Sequence, residues 1–218
     1  MRNFRDFILS PCVAWACALA TLLALAAATV WWGGLNQDEG WYLYAAQLVH
    51  AGKLPYRDFF FTQGPTMPIV YSFLSPLWAS MSSPLHGVLG GRLLTLLIGL
   101  VGIGVAVALV RRLVPADRRA AASFLVFVLL ACNVYHLYFL SIPKTYALGA
   151  LFVFTGFLLV VDGAAASGRL RHVLGLFFGG LALALASGTR ISLVLILPVV
   201  GLALLGAFRR LRFSFVWF

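Results

Sequence analysis

The chain has 218 residues, of which 62% are hydrophobic and 10% charged, and its mean hydropathy is +1.00. Soluble domains carry about 25% charged residues, so a water-soluble globular class is excluded and lipid is the expected solvent. The formal net charge of +10 does not point to nucleic acid, because the charges fall in short loops between apolar runs, the pattern of membrane orientation beside anionic headgroups.

A helix needs about 20 apolar residues to cross the hydrocarbon core, and none of the apolar runs alternates with the period of a barrel strand. The fold class is therefore all-α, a polytopic membrane protein, with six transmembrane helices expected in one module over residues 1–218. The first, residues 12–32, follows Arg2 and Arg5. Ala26-Ala27-Ala28 offers small residues for cleavage, but the apolar run exceeds the about 7–15 residues of a signal h-region, so it is read as a retained span.

Residues 34–84 form the longest segment outside the apolar runs, and a connection of that length implies structure or function of its own. Trp41, Tyr44, Ala45, Leu48 and Val49 follow helical spacing up to Gly52, a natural stop. Asn36 and Glu39 have the spacing of a capping box. Residues 66–83 are uncharged and could pass for another span, but Pro68 and Pro76 break them. A crossing there would also put Arg111, Arg112, Arg118 and Arg119 outside. Met67, Val70, Tyr71, Leu74, Trp78 and Met81 recur at helical spacing, with Ser72, Ser75, Ser80 and Ser82 mostly off that face. This segment reads as a second interfacial helix.

The later spans are expected at residues 85–110, 120–142, 145–161, 173–189 and 191–208. Arg111, Arg112, Arg118 and Arg119 follow the second span, Arg169 and Arg171 the fourth, and Arg209, Arg210 and Arg212 the sixth. With the N-terminus in the cytoplasm all of these lie inside, and the loop with Asp38 lies outside an inner or plasma membrane. The outside then keeps only Lys53, Arg57, Lys144 and Arg190, with Arg92 just within the second span. Gly99, Gly102, Gly104, Gly175 and Gly179 are expected to let helices pack closely. Cys12, Cys17 and Cys132 read as small buried hydrophobes. The closing run FSFVWF has no turn or charged tail after it, which suggests a truncated end.

Asp38 and Glu39 are two of six acidic residues in the chain. Carboxylates in a first helical turn complement the helix dipole by about 0.3–1 kcal/mol, and Glu39 can also close the cap. Asp38 has no such duty, and at the membrane surface a partly shielded carboxylate can act as a general base.

The run D-E-G-x-Y from Asp38 to Tyr42, then G-x-L-P-Y-x-D-F-F-F from Gly52, then Q-G-P at Gln63, an amphipathic helix, and G-R-L-L from Gly91 resembles the N-terminal half of a GT-C glycosyltransferase. The similar groups are the protein mannosyltransferase-like family and the bacterial aminoarabinose and lipopolysaccharide-core transferases. The resemblance implies an inverting transferase that takes a sugar from a polyprenyl-phosphate donor to a glycan, lipid or protein acceptor. Asp38 matches the family's catalytic base, with Glu39 and Tyr42 in support. Cations stabilise the departing phosphate, and the candidates are Arg92, Lys144, Arg190 and Arg57. For Lys53, Arg57 and Lys144 the other reading is interfacial anchoring. For Arg92 it is a structural partner such as Asp58 or Glu39.

Gln63-Gly64 stands where aminoarabinose transferases carry a charged pair that supplies a metal ligand, so no metal or other cofactor is carried over. Lys144-Thr145-Tyr146 stands where many relatives have an acidic residue. His50, His86 and His136 read as interface residues rather than a metal site. The family continues beyond six spans. A transporter, or a non-catalytic membrane subunit, is the competing function.

Overall fold

The computed structural model describes residues 11–79, 84–203 and 205, and these are all-helical apart from one isolated bridge between Pro55 and Phe59. Four helices are long and apolar enough to cross a bilayer. They are α1 (Pro11–Trp31), α5 (Pro84–Leu113), α8 (Thr145–Ala164) and α9 (Arg169–Thr189). Between α1 and α5 lie three shorter helices, α2 (Gln37–His50), α3 (Thr66–Ser72) and α4 (Pro76–Ala79). Between α5 and α8 lie α6 (Arg119–Ala131) and α7 (Val134–Ser141). A last apolar helix, α10 (Ile191–Ala203), opens with a tight 3-10 turn. The chain is a membrane-embedded helical bundle, and its exposed Leu, Phe and Val side chains along α1, α5, α6 and α9 form an apolar outer surface.

The bundle has two chemically different ends. Arg112 at the end of α5 pairs with Asp162 near the end of α8 at 2.9 Å. A Cβ on Gly91, near the start of α5, would meet Pro143 just before α8. Hence α5 and α8 run parallel, and the chain between them must return the full length of the bundle, about 30 Å at about 1.5 Å per residue. The pair α6 and α7 makes that return, but bent by 66°. The uninterrupted span expected at 120–142 is therefore corrected to a broken one. Asn133 takes an extended conformation, and its side chain accepts from the His136 backbone N–H at 3.1 Å. The His136 ring nitrogen Nδ1 lies 2.7 Å from the Leu130 carbonyl. Side chains thus satisfy backbone groups that a break inside lipid would otherwise leave open. Of the span expected at 191–208, residues 204 and 206–208 lie outside the described residues, and the described helices reach four spans, or five with the bent pair, rather than six.

Close packing through glycine holds α8 against α9. A Cβ on Gly175 would lie 2.5 Å from the Gly163 Cα, so the two backbones touch, as small residues permit in membranes. Gly99, Gly102 and Gly179 also face neighbouring helices, whereas Gly104 faces open space. Cys12 and Cys17 are exposed on α1 and Cys132 is half-buried, which corrects their reading as buried.

The interfacial helices sit on one end of the bundle. Helix α2 forms where expected, and Gly52 follows it at φ +81°, in the left-handed region glycine favours. Its buried face is Glu39, Tyr42, Leu43, Ala45 and Ala46, while Tyr44 is exposed. This face is rotated from the expected Trp41–Tyr44 stripe because Glu39 is drawn inward by an ion pair described below. The second amphipathic segment is two short helices with a turn at Phe73 to Ser75. Met67, Tyr71 and Trp78 are buried as expected. Ser72 and Ser75 are also buried, a correction, and they donate to the carbonyls of Ile69 and Ser72. Ser80, Met81 and Ser82 lie outside the described residues. Thr95 donates to the Gly91 carbonyl at 2.7 Å, so Tyr71 must be the donor in its 2.9 Å bond with Thr95. That bond ties α3 to α5.

Candidate functional site

The site is built on a buried ion pair. Asn36 caps α2, and Glu39 closes the capping box by accepting from the Asn36 N–H at 2.8 Å. The same carboxylate takes a two-pronged contact from Arg92 on α5, Nε to Oε2 and Nη2 to Oε1, both at 2.7 Å. Arg92 spends its other N–H groups on the carbonyls of Val30, Gly33 and Gly34. All five guanidinium donors are thereby used, and both side chains are buried. One arginine joins the end of α1, the turn after it, the start of α2 and the start of α5. Of the two readings open for Arg92, phosphate ligand or structural partner, its contacts are those of a structural partner, and Glu39 belongs to the same lock.

That lock fixes Asp38, the next residue back, on the opposite side of the first turn. There a cleft of ≈ 180 Å³ is lined by Asp38, Trp41, Tyr42, Thr62, Gln63, Lys144, Thr145, Tyr146 and Arg190. Lys144 Nζ lies 2.6 Å from Asp38 Oδ2, with the lysine side chain 14% and the carboxylate 45% exposed. Pro143 explains the lysine's place. It pushes Ile142 to an extended conformation, which ends α7, and Lys144 follows extended before α8 begins. No side chain caps α8, so the positive end of its dipole opens at Thr145 and Tyr146, both cleft residues.

Arg190 reaches the cleft from the end of α9. Its guanidinium stacks 4.5 Å from the Tyr146 ring centroid, and its Nε donates to Ser192 at 3.1 Å. Lys144 lies 5.9 Å from the same ring. Tyr42 is buried, and burial first, then the Asp38 carboxylate, hold its phenol above the usual 10.0, against the pull of Arg190 and of a hydrogen bond with Thr62. It therefore stays a neutral hydroxyl at working pH.

Two close approaches at glycine lie beside the cleft residues Gln63 and Arg190. A Cβ on Gly64 would lie 1.9 Å from the Gly188 carbonyl oxygen, and one on Gly188 would lie 2.4 Å from Thr66 Oγ1. The Gln63-Gly64-Pro65 turn is thus seated directly on the end of α9, which brings Gln63 and Arg190 together. The aromatic stretch before it is pinned by Tyr56, whose hydroxyl donates to the Gln63 carbonyl and whose φ of 68° is unusual for an aromatic residue.

Of the residues expected at the site, Asp38, Tyr42, Lys144 and Arg190 come together. Arg57 does not. It is exposed, pairs with Asp58 at 2.8 Å and is absent from the cleft lining. Thr62, Gln63 and Tyr146 are cleft residues that the spacing arguments did not single out. The signal available for Tyr146 was its place, two residues after Lys144, at the head of a span. His50 lies 3.1 Å from the Ser72 carbonyl, and no group of three or more His, Cys, Asp or Glu among the described residues could hold a metal ion. Comparisons with protein families, curated proteins and solved structures find no match.

Proposed function

We propose that this chain carries the donor side of an outer-face membrane glycosyltransferase site of the GT-C kind, moving a sugar from a polyprenyl phosphate to an acceptor hydroxyl. One observation carries the reading. A half-exposed carboxylate, Asp38, shares a cleft with two cations and an uncapped helix start, at the end of a lipid-embedded bundle where interfacial helices lie.

The chemistry follows from charge. Asp38 accepts the acceptor hydroxyl's proton, the oxygen attacks the anomeric carbon, and the bond from that carbon to the phosphate oxygen breaks with its electron pair. The departing lipid phosphate gains negative charge beside Lys144, Arg190 and the first-turn N–H groups of α8, which favours the transition state over the ground state. Tyr42, kept protonated, offers a hydroxyl to the sugar or the phosphate. The basic side chains Arg111, Arg112, Arg118, Arg119, Arg169 and Arg171 cluster at the opposite end of the bundle, which supports a cytoplasmic assignment for that end and an external one for the cleft.

Sugar transfer from polyprenyl-phosphate-linked donors by the membrane-embedded protein, compared with Asp38→Asn, tests this. Loss of at least about a hundredfold in rate, with donor binding no weaker than the parent's, is expected for removal of a general base. Undiminished transfer would exclude Asp38 as the base. The bend at Asn133 favours one alternative, since transporters build sites on broken spans. Solute flux in proteoliposomes without any sugar donor would support it.

A further inference from the structure

Building on the donor-phosphate reading, we infer that Lys144 is shared between two anions, so that an arriving phosphate takes the lysine from Asp38 and frees the carboxylate. The charges of the cleft are paired in a particular way. Asp38 Oδ2 holds the Lys144 ammonium at 2.6 Å, and Arg190 is held by the Tyr146 ring and Ser192. Among the described residues, no carboxylate pairs with Arg190. An entering phosphate therefore meets one anchored, acid-free cation and one cation already engaged.

The two cations suit these different parts. Arg190 is a rigid planar group fixed by stacking and by its Nε bond, whereas Lys144 is a point charge on a flexible four-carbon stem. Its ammonium can turn from Asp38 to an anion lying over Tyr146 without movement of the backbone, which Pro143 and the start of α8 hold in place. Asp38 cannot follow, because its backbone N–H is bonded to the Asn36 side chain at 3.1 Å and its neighbour Glu39 is locked to Arg92. While Lys144 stays on Asp38, its ammonium occupies Oδ2 at 2.6 Å, where an acceptor hydroxyl would approach. Once Lys144 is on the phosphate, the same carboxylate faces the acceptor unpaired. The base is thus armed only when a donor is bound, which limits transfer without an oriented donor.

The arrangement has an unusual consequence for binding. Asp38 competes with the ligand for Lys144 and also repels it, so removal of this proposed base must tighten phosphate binding. The test uses the full chain in nanodiscs and measures the Kd of polyprenyl monophosphate, with inorganic phosphate and phosphatidylglycerol as parallel arms. Asp38→Asn, and independently Asp38→Ala, are expected to bind polyprenyl monophosphate about fivefold to tenfold more tightly than the parent. Lys144→Gln weakens binding, and most of the gain from Asp38→Asn disappears when Lys144→Gln is already present.

Unchanged or weaker binding by both Asp38 variants overturns the shared lysine, as does a gain of equal size with and without Lys144. No binding of any phosphate compound by the parent or a variant overturns the donor-phosphate reading itself, a result distinct from the first. Tightening with inorganic phosphate as strong as with the lipid identifies a free phosphate ligand. Tightening with phosphatidylglycerol alone identifies a bilayer phospholipid. Either of these overturns the polyprenyl donor but leaves the shared lysine standing.

Discussion

Arg92→Lys keeps the positive charge, yet it is expected to destabilise the protein by about 3 kcal/mol. Arginine makes five hydrogen bonds here, to both oxygens of Glu39 and to three carbonyls. An ammonium has three donors in a compact tripod, so at least two buried acceptors lose their partner at a cost of about 1–3 kcal/mol each. Arg92→Met goes further and leaves the Glu39 carboxylate buried without a counterion, a loss of about 3–5 kcal/mol. For a chain of this size each kcal/mol moves the Tm by about 2–4 °C, so shifts of about 6–12 °C for lysine and slightly more for methionine are expected. Tryptophan fluorescence during thermal unfolding in detergent reads them, since Trp41 lies on α2 and Trp78 is buried beside Tyr71. The double replacement Glu39→Leu with Arg92→Met is expected to recover part of the loss, because it removes the stranded carboxylate. An Arg92→Lys protein that melts within 1 °C of the parent, or a double variant less stable than Arg92→Met alone, would refute the lock.

Gly64→Ala places a methyl group where the Gly188 carbonyl already stands. Backbone lies on both sides, so the Gln63 turn must lift from α9, with about 2–3 kcal/mol lost and phosphate binding weakened by more than about tenfold. Thermal unfolding and the nanodisc binding assay check both parts. Asp58 is held down to about 2 by the Arg57 hydrogen bond and then by the Leu54 N–H. Its folded value lies below the ordinary 3.8, so its contribution to the loop is present above about pH 4 and disappears as pH falls through about 2. A carboxylate carbon titration by NMR should find this, and Arg57→Gln should move Asp58 back toward its ordinary value.

Local features were the legible ones. Asn36 and Glu39 are three residues apart, so their capping box could be read from spacing, and Gly52 marks the stop of α2 for an equally local reason. Pairings between distant segments carry no such mark. Arg92 had two acids proposed for it, and the structure chooses Glu39 while Asp58 goes to its neighbour Arg57. The partnership of Asp38 with Lys144 was not foreseen, because neither residue's surroundings indicate the other. The break at Asn133 was missed for a different reason. Hydropathy averages over one polar residue, whereas a helix cap depends on it. The buried face of α2 was misjudged because an apolar stripe was sought, and a charged residue, Glu39, turned out to lie in the core.

The fivefold grip of Arg92 also bears on the order in which the chain can mature. Glu39 and the carbonyls at the end of α1 are made and threaded into the membrane well before Arg92, which lies 53 residues beyond Glu39. Until α5 enters the bilayer, the start of α2 has no counterion, and its carboxylate has every reason to remain in water. Insertion of α5 is then the event that pulls the acidic turn down onto the bundle and aims Asp38 at the cleft. The loop with Asp38 would be assembled from behind, by the span that follows it, and a nascent chain stalled before Arg92 would carry Asp38 without the Arg92 lock to hold it in position.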